Sequence, residues 1–185
     1  MSAKKSRQSY AASAREDEML SKAYSNGFGY ERDYGNCPQC VVGALQDVFP
    51  GLIDDSIFKA AHGLVGGTAK TTNGTCGALA GGILAISALF GRDRANFANG
   101  PFLDAQKMAK RLYDRFTEEY GSCICHDVQT KEFGRAFDLW DPADFQAFLE
   151  AGGHTDKCPD VVGKTARWAA EIILEEQAKS KDTVS

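Results

Sequence analysis

The sequence predicts an all-α protein, a single compact domain built as a bundle of about six to eight helices. In most segments apolar residues recur at the three- and four-residue spacing of amphipathic helices, and no window shows the alternation expected of a strand. The 185 residues, 43% of them hydrophobic and 25% charged, suffice for one hydrophobic core. This composition is that of an ordinary globular protein.

The N-terminal part of the chain predicts a helix or arm followed by a loop. Residues 2–25 mix alanine, serine and charged residues with scattered apolar positions. Residues 25–36 contain glycines, asparagines and tyrosines, a composition typical of an irregular loop. Pro38 suits the first turn of the next helix, which is expected to end before the Pro-Gly pair at 50–51.

Five further helices follow, each marked by a cap residue or an apolar stripe. A Gly- and Thr-rich loop, residues 63–74, separates the first two of them. The last helix is expected to end near residue 178. The predicted starts are Asp54, Cys76, Gly100-Pro101, Asp141-Pro142 and Cys158.

Two further groups of side chains, one aromatic and one basic, are expected to have structural roles. Helical spacing predicts that five aromatic residues belong to the core: Phe133, Phe137, Trp140, Phe145 and Phe148. A basic stripe is expected to be a solvated helix face, with docking of an acidic redox partner as the alternative: Lys107, Lys110, Arg111 and Arg115.

On this interpretation the chain divides into three segments. Residues 1–34 form the N-terminal helix or arm with its Gly/Tyr-rich loop. Residues 35–180 form a cysteine-rich helical redox domain, and residues 181–185 form a disordered tail.

Charge and hydropathy argue against several classes of partner. The net charge of -4 and the pI near 5.4 lack the excess of Lys and Arg that binds phosphates, so no nucleic acid is expected. The longest apolar run, residues 76–90, is shorter than the roughly 20 residues of a membrane-spanning helix, so no membrane is expected. The N-terminus has no apolar signal region, which predicts a cytoplasmic protein.

A reducing cytoplasm would keep ordinary thiols free, so metal binding or redox chemistry becomes the expected role of six cysteines.

The cysteines coincide with predicted helix starts. Cys37 and Cys40 open one helix, Cys76 a second, and Cys158 a third. A helix N-terminus offers free N–H groups and a positive dipole end, which stabilise a thiolate or an anionic cluster. The small residues after Cys76 predict the close approach of either a neighbouring helix or an inorganic cluster.

The segment 76–81, Cys-Gly-Ala-Leu-Ala-Gly, also resembles a known family. It matches every fixed position of Cys-Gly-Ala-x-x-Gly, the central motif of the C-GCAxxG-C-C family of redox-active proteins. The other family cysteines fall on Cys40, Cys125 and Cys158, and the resemblance spans roughly residues 35–178.

The resemblance implies a cofactor and an assembly. Split-Soret cytochromes look like relatives of this family, and they hold an iron–sulfur cluster beside haem in a dimer. The resemblance therefore implies a homodimer with a redox partner protein and a cluster held by four cysteines: Cys40, Cys76, Cys125 and Cys158. Cys37 and Cys123 are additions to this pattern, either as ligands of a larger cluster or as a resolving pair.

Haem itself is not expected, because covalent attachment requires Cys-x-x-Cys-His. The segment 123–126, Cys-Ile-Cys-His, is one residue short, and Cys40 is followed by Val41 instead of histidine.

Three functions remain open from the residues. Four thiolates fit a [2Fe–2S] or a [4Fe–4S] cluster for electron transfer or cluster-based oxidoreductase chemistry. The same four cysteines would also hold a structural zinc ion. Cys37 and Cys40 form a Cys-x-x-Cys pair at a helix start, which is typical of a dithiol-disulfide oxidoreductase.

Overall fold

The computed structural model describes residues 2–100 and 102–182, and in these residues it confirms the all-α prediction with eight α-helices and no strand. They are α1 Ser2–Tyr34, α2 Cys37–Val48, α3 Asp55–Ala61, α4 Gly77–Phe90, α5 Leu103–Tyr120, α6 Cys125–Phe133, α7 Pro142–Glu150 and α8 Cys158–Asp182. Short 3-10 turns lie at His62–Leu64 and Arg94–Asn96, and a π-helical turn at Gly153–Lys157 precedes α8. None of the described helices is long and apolar enough to cross a membrane.

Helix α1 corrects the prediction of a loop at residues 25–36, because it continues without a break to Tyr34. The glycines of this stretch allow α1 to cross α8 closely. A Cβ atom at Gly27 would lie 3.2 Å from the Cβ of Ala166, and one at Gly163 would lie 2.9 Å from the Tyr24 ring. Packing in the core thus outweighs the low helix propensity of glycine. The helix ends only at the next two residues, Gly35 and Asn36, whose φ angles of 68° and 70° are left-handed.

Helices α2 and α4 also cross at close range, and this contact explains the small residues after Cys76. A Cβ atom at Gly81 would lie 2.5 Å from the backbone oxygen of Pro38. On the other side of α4, a Cβ atom at Gly82 would lie 2.6 Å from Leu112 of α5. Of the two predicted causes of these small residues, the structure supports the neighbouring helix for Gly81 and Gly82.

Helix α5 buries one face, including Leu112 and Phe116, against α4 and α8. The basic stripe is exposed, as predicted for a solvated face, and its two arginines in addition pair with acidic residues of α8. Arg111 contacts Glu175 and Glu176, and Arg115 contacts Glu171 at 2.6 Å. The predicted start at Gly100-Pro101 includes residue 101, which lies outside the described residues, and α5 itself begins at Leu103.

The aromatic residues between 133 and 148 form a separate small core, with one exception. Phe133, Phe137, Phe145 and Phe148 have ring centroids within 5.5–6.0 Å of at least one other member. Trp140 is 69% exposed, so its assignment to the core was wrong. Its indole nitrogen instead donates a hydrogen bond of 2.7 Å to the backbone oxygen of Ala69.

The C-terminal helix is longer than the sequence predicts. Helix α8 continues past residue 178 to Asp182, so the first two residues of the predicted tail are helical. Residues 183–185 lie outside the described part of the chain.

Candidate functional site

Five of the six cysteines line one cavity of about 940 Å³. They come from four separate chain segments: Cys37 and Cys40 from the first turn of α2, Cys76 from the residue before α4, Cys125 from the first residue of α6, and Cys158 from the first residue of α8. Four helix N-termini therefore meet at this cavity, one more than the sequence predicts. The start of α6 was missed because its N-cap residue is Ile124, and isoleucine is not a residue type that favours this position.

A short antiparallel bridge fastens two of the cysteine-bearing segments to each other. Thr75 pairs with Ile124. The N–H of Cys76 donates to the Cys123 oxygen at 2.8 Å, and the N–H of Cys125 donates to the Gly74 oxygen at 3.0 Å. The relative position of Cys76 and Cys125 is therefore set by backbone hydrogen bonds.

The loop before this bridge adopts an unusual backbone conformation. Residues 66–70 and Thr72 all have φ between 49° and 70°, and four of these six residues are not glycine. A left-handed conformation at a branched residue such as Thr72 costs energy and is concentrated at functional sites. Backbone bonds hold the loop in place, among them Ala69 N–H to the Gly63 oxygen and Lys70 N–H to the Val65 oxygen, both 2.8 Å.

This strained loop lies directly between two of the cavity cysteines. The N–H of Gly66 donates a hydrogen bond to the Cys37 sulfur. A Cβ atom at Gly67 would lie 2.7 Å from the Cβ of Cys125. The loop thus contacts Cys37 on one side and Cys125 on the other, and glycine at 67 is required by both its φ of 70° and this contact.

Burial keeps the cavity thiols protonated in the metal-free chain. It raises the pKa of Cys76 to about 11, although the N–H groups of Ala78 and Leu79 at the start of α4 donate to the sulfur and oppose this shift. Burial also raises the pKa of Cys40 and Cys125, and it raises the pKa of Cys37 and Cys158 well above the ordinary value. Metals bind thiolates, so a metal held by these thiols would displace their protons.

Electrostatic coupling shows which thiols are neighbours. After burial and the charge of Glu31, repulsion by Cys76 and by Cys125 raises the pKa of both Cys37 and Cys158. Cys40 has a different environment, because its thiol donates to the Gly35 oxygen at 2.9 Å and contacts the Glu31 carboxyl.

Cys123 is the one cysteine that does not line the cavity. Its thiol is half-buried and lies within hydrogen-bond reach of the Tyr113 hydroxyl, which raises the pKa of that tyrosine. Cys123 is linked to the cavity through Cys76, because its backbone oxygen accepts a hydrogen bond from the N–H of Cys76.

Glu31 is a residue of the cavity that the sequence analysis missed. Its side chain is only 3% exposed, and its Oε2 atom has no hydrogen-bond partner. Burial raises the pKa of Glu31 to about 8, and the contact with the Cys40 thiol partly opposes this shift. The signal was the spacing of Ala23, Gly27 and Glu31, which places all three on one helical face. It was hidden because these residues fell partly in the predicted loop.

The three histidines differ in their relation to the cavity. His154 lines it with its ring edge-on to Phe145 and Phe148, and burial followed by the charge of Lys70 lowers the pKa of His154. His62 lies at the rim, where Nδ1 is 3.0 Å from the side-chain oxygen of Gln39. His126, which follows Cys125 in the sequence, is exposed with Nδ1 3.3 Å from Asp127.

Among the residues that the structure describes, no three His, Cys, Asp or Glu side chains converge closely enough to hold one metal ion. The five thiols are spread around the wall of the cavity and do not point at one common position.

Comparison with known proteins identifies the family. Residues 35–172 match the model of the family described as "Putative redox-active protein (C_GCAxxG_C_C)", and the chain belongs to that family. Membership assigns it a redox role. No curated protein and no solved structure matches the chain.

Proposed function

We propose that this family member is an iron–sulfur redox protein that holds its cluster in the cysteine-lined cavity. The observation that carries the proposal is the meeting of five thiols, from four distant segments, around one cavity. Cysteine thiolates are the ordinary ligands of iron–sulfur clusters, and five cysteines line this cavity.

The dimensions and the hydrogen-bond donors of the cavity fit a cluster. A volume of about 940 Å³ accommodates a polynuclear group together with the ends of its ligands. N–H groups of Gly66, Ala78 and Leu79 donate to the sulfurs of Cys37 and Cys76. Hydrogen bonds of this kind tune the reduction potential of a cluster.

The coupling between thiols favours one set of four ligands. Cys76 and Cys125 each act on the pKa of both Cys37 and Cys158, whereas Cys40 contacts Glu31 and Gly35. We therefore assign the cluster to these four, with Cys40 as a further ligand and Cys123 outside the set. This assignment replaces Cys40 by Cys37 as the principal ligand from α2.

When bound, the cluster would supply one-electron transfer. The chain contributes the burial of Cys40, Cys76 and Cys125, which excludes water, and the backbone N–H groups that orient the sulfurs. A redox partner protein and a homodimer remain part of the proposal. Tyr34 is 80% exposed beside the cavity and offers a contact for either of them.

Analysis of anaerobically reconstituted protein tests the proposal. We expect stoichiometric iron and acid-labile sulfide with broad visible absorbance. Serine at Cys37, Cys76, Cys125 or Cys158 should remove most of the iron, whereas Cys123→Ser, the matched control outside the cavity, should retain it.

Two results would contradict the proposal in favour of the alternatives. A colourless protein with stoichiometric zinc would indicate a zinc site. A metal-free protein with a titratable disulfide between Cys37 and Cys40 would indicate a dithiol oxidoreductase.

A further inference from the structure

We propose that Glu31 supplies a carboxylate oxygen ligand to one iron of the cluster, in addition to the cysteine thiolates. The inference rests on the proposed function and extends it to a residue outside the family match, which begins at residue 35. It is carried by the position of this side chain among the cavity thiols.

The carboxyl group of Glu31 is buried, and beyond its contact with the Cys40 thiol it lacks hydrogen-bond partners. Its Oε1 atom lies 3.8 Å from Nε2 of His154, beyond hydrogen-bond distance, and its Oε2 atom has no partner among the described residues. An ionised carboxylate requires a donor or a cation, and a protonated one requires an acceptor for its hydrogen. An unsatisfied buried oxygen of this kind is rare and calls for a ligand.

Glu31 lines the same cavity as five thiols, and these thiols show what that ligand would be. Besides the dominant effect of burial, the negative charge of Glu31 also raises the pKa of each of these cysteines: Cys37, Cys40, Cys76, Cys125 and Cys158. A group held by these thiolates would therefore present its metal ions to the Glu31 oxygens.

The nearby cationic side chains do not neutralise Glu31. Burial and the charge of Lys70 lower the pKa of His154, which favours its neutral form. Lys70 lines the same cavity, but its Nζ atom lies over the Phe145 ring at 5.0 Å from the centroid. Iron would supply the positive charge that the protein itself does not place at Oε2.

The backbone holds Glu31 in this position. Glu31 belongs to the last turn of α1, and its backbone oxygen accepts a hydrogen bond from the N–H of Gly35 at 3.1 Å. Helix α1 is in turn packed closely against α8 through Gly27. The carboxylate therefore faces the cavity without a rearrangement of the helix. A cluster contains several irons, so its thiolate and carboxylate ligands need not converge on one point.

Mössbauer spectroscopy of ⁵⁷Fe-reconstituted protein tests the assignment. The samples are the wild type, Glu31→Gln, and Glu132→Gln as a matched control that makes the same carboxyl-to-amide change in the same cavity. We expect a minority iron site with a higher isomer shift in the wild type and in Glu132→Gln, and its loss in Glu31→Gln. Circular dichroism of the metal-free proteins establishes that all three are folded.

The outcomes separate the two proposals. Loss of the minority site, or of the whole cluster, from folded Glu31→Gln alone supports the ligand assignment. A wild-type cluster without a minority site, or with one that Glu31→Gln retains, overturns the assignment and leaves the proposed function intact. A wild-type protein that takes up no iron and sulfide overturns both.

Discussion

Gly77 lies so close to Cys37 that a Cβ atom at residue 77 would overlap the Cys37 sulfur. The same atom would lie 2.8 Å from the Pro38 ring. The start of α4 and the start of α2 therefore share one contact, and the position of the Cys37 thiol depends on the absence of a side chain at residue 77.

Gly77→Ala should consequently disturb both the fold and the site. We expect a loss of about 1–3 kcal/mol in the free energy of unfolding, the usual cost of overpacking, measured by urea denaturation of the metal-free protein. Gly29→Ala is the control, because a Cβ atom at Gly29 in α1 would meet no other atom within 4 Å, and alanine should add stability there through its higher helix propensity. Equal stabilities of the two variants would contradict the contact.

The strained loop predicts opposite effects at two nearby positions. Ala69→Gly should stabilise the protein by up to about 1 kcal/mol, because glycine accepts the φ of 49° without the strain of a Cβ atom. Gly67→Ala should destabilise it and displace Cys125, since the new Cβ atom would lie 2.7 Å from that of Cys125. Thermal denaturation of both variants measures the difference, and effects of the same sign would show that the loop is not strained as described.

The buried carboxyl of Glu31 predicts a pH dependence of stability in the metal-free protein. Its pKa is about 8 in the fold against an ordinary 4.5, so between these values the folded state holds one more proton than the unfolded state. Stability should therefore fall as pH rises through this window, by about 1.4 kcal/mol per unit. Urea denaturation at several pH values between 5 and 8 measures this slope.

Glu31→Gln isolates that contribution. The depressed pKa of His154 acts in the opposite direction below its ordinary range, and it is common to both proteins. The free energy of unfolding of the wild type, relative to that of Glu31→Gln, should hence fall as pH rises. A constant difference would mean that Glu31 is ionised in the fold.

The cavity thiols should react slowly in the metal-free folded protein. Cys40, Cys76 and Cys125 are buried, and burial raises their pKa, so few thiolates are present at pH 7. We expect alkylation of these three at least about tenfold slower than after denaturation, quantified by mass spectrometry of the peptides. Half-buried Cys123 provides the internal comparison. Rapid modification of all the cysteines would contradict the described burial.

Metal uptake should improve as pH rises, for the same reason. Each thiol that becomes a ligand loses a proton, so the apparent affinity for a thiolate-binding metal increases with pH. Titration of the reduced, metal-free protein at pH 6 and pH 8 measures this dependence. Equal affinities would indicate that the thiols are not the ligands.

Local sequence signals predicted those parts of the fold that are determined locally. Asp54 and Asp141 cap α3 and α7 with hydrogen bonds of 2.8 Å to Ser56 and Asp144, as their residue types suggest. Cys76 precedes α4 as expected.

The predictions failed where distant packing determines the structure. The glycines of residues 25–34 resemble a loop in isolation, and they become helical because α8 packs against them. The burial of Glu31 depends on that same helix, so its spacing with Ala23 and Gly27 became informative only once α1 was known to continue through residue 31. Trp140 has the spacing of a core residue, but its indole nitrogen binds the backbone of Ala69 outside the aromatic core.

The wide sequence separation of the cavity residues has a consequence for biosynthesis. The residues that line the cavity extend from Tyr30 to Val162, so the start of α8 with Cys158 is translated after the segments that carry the other cysteines. A nascent polypeptide therefore cannot close the cavity before residue 162 has left the ribosome.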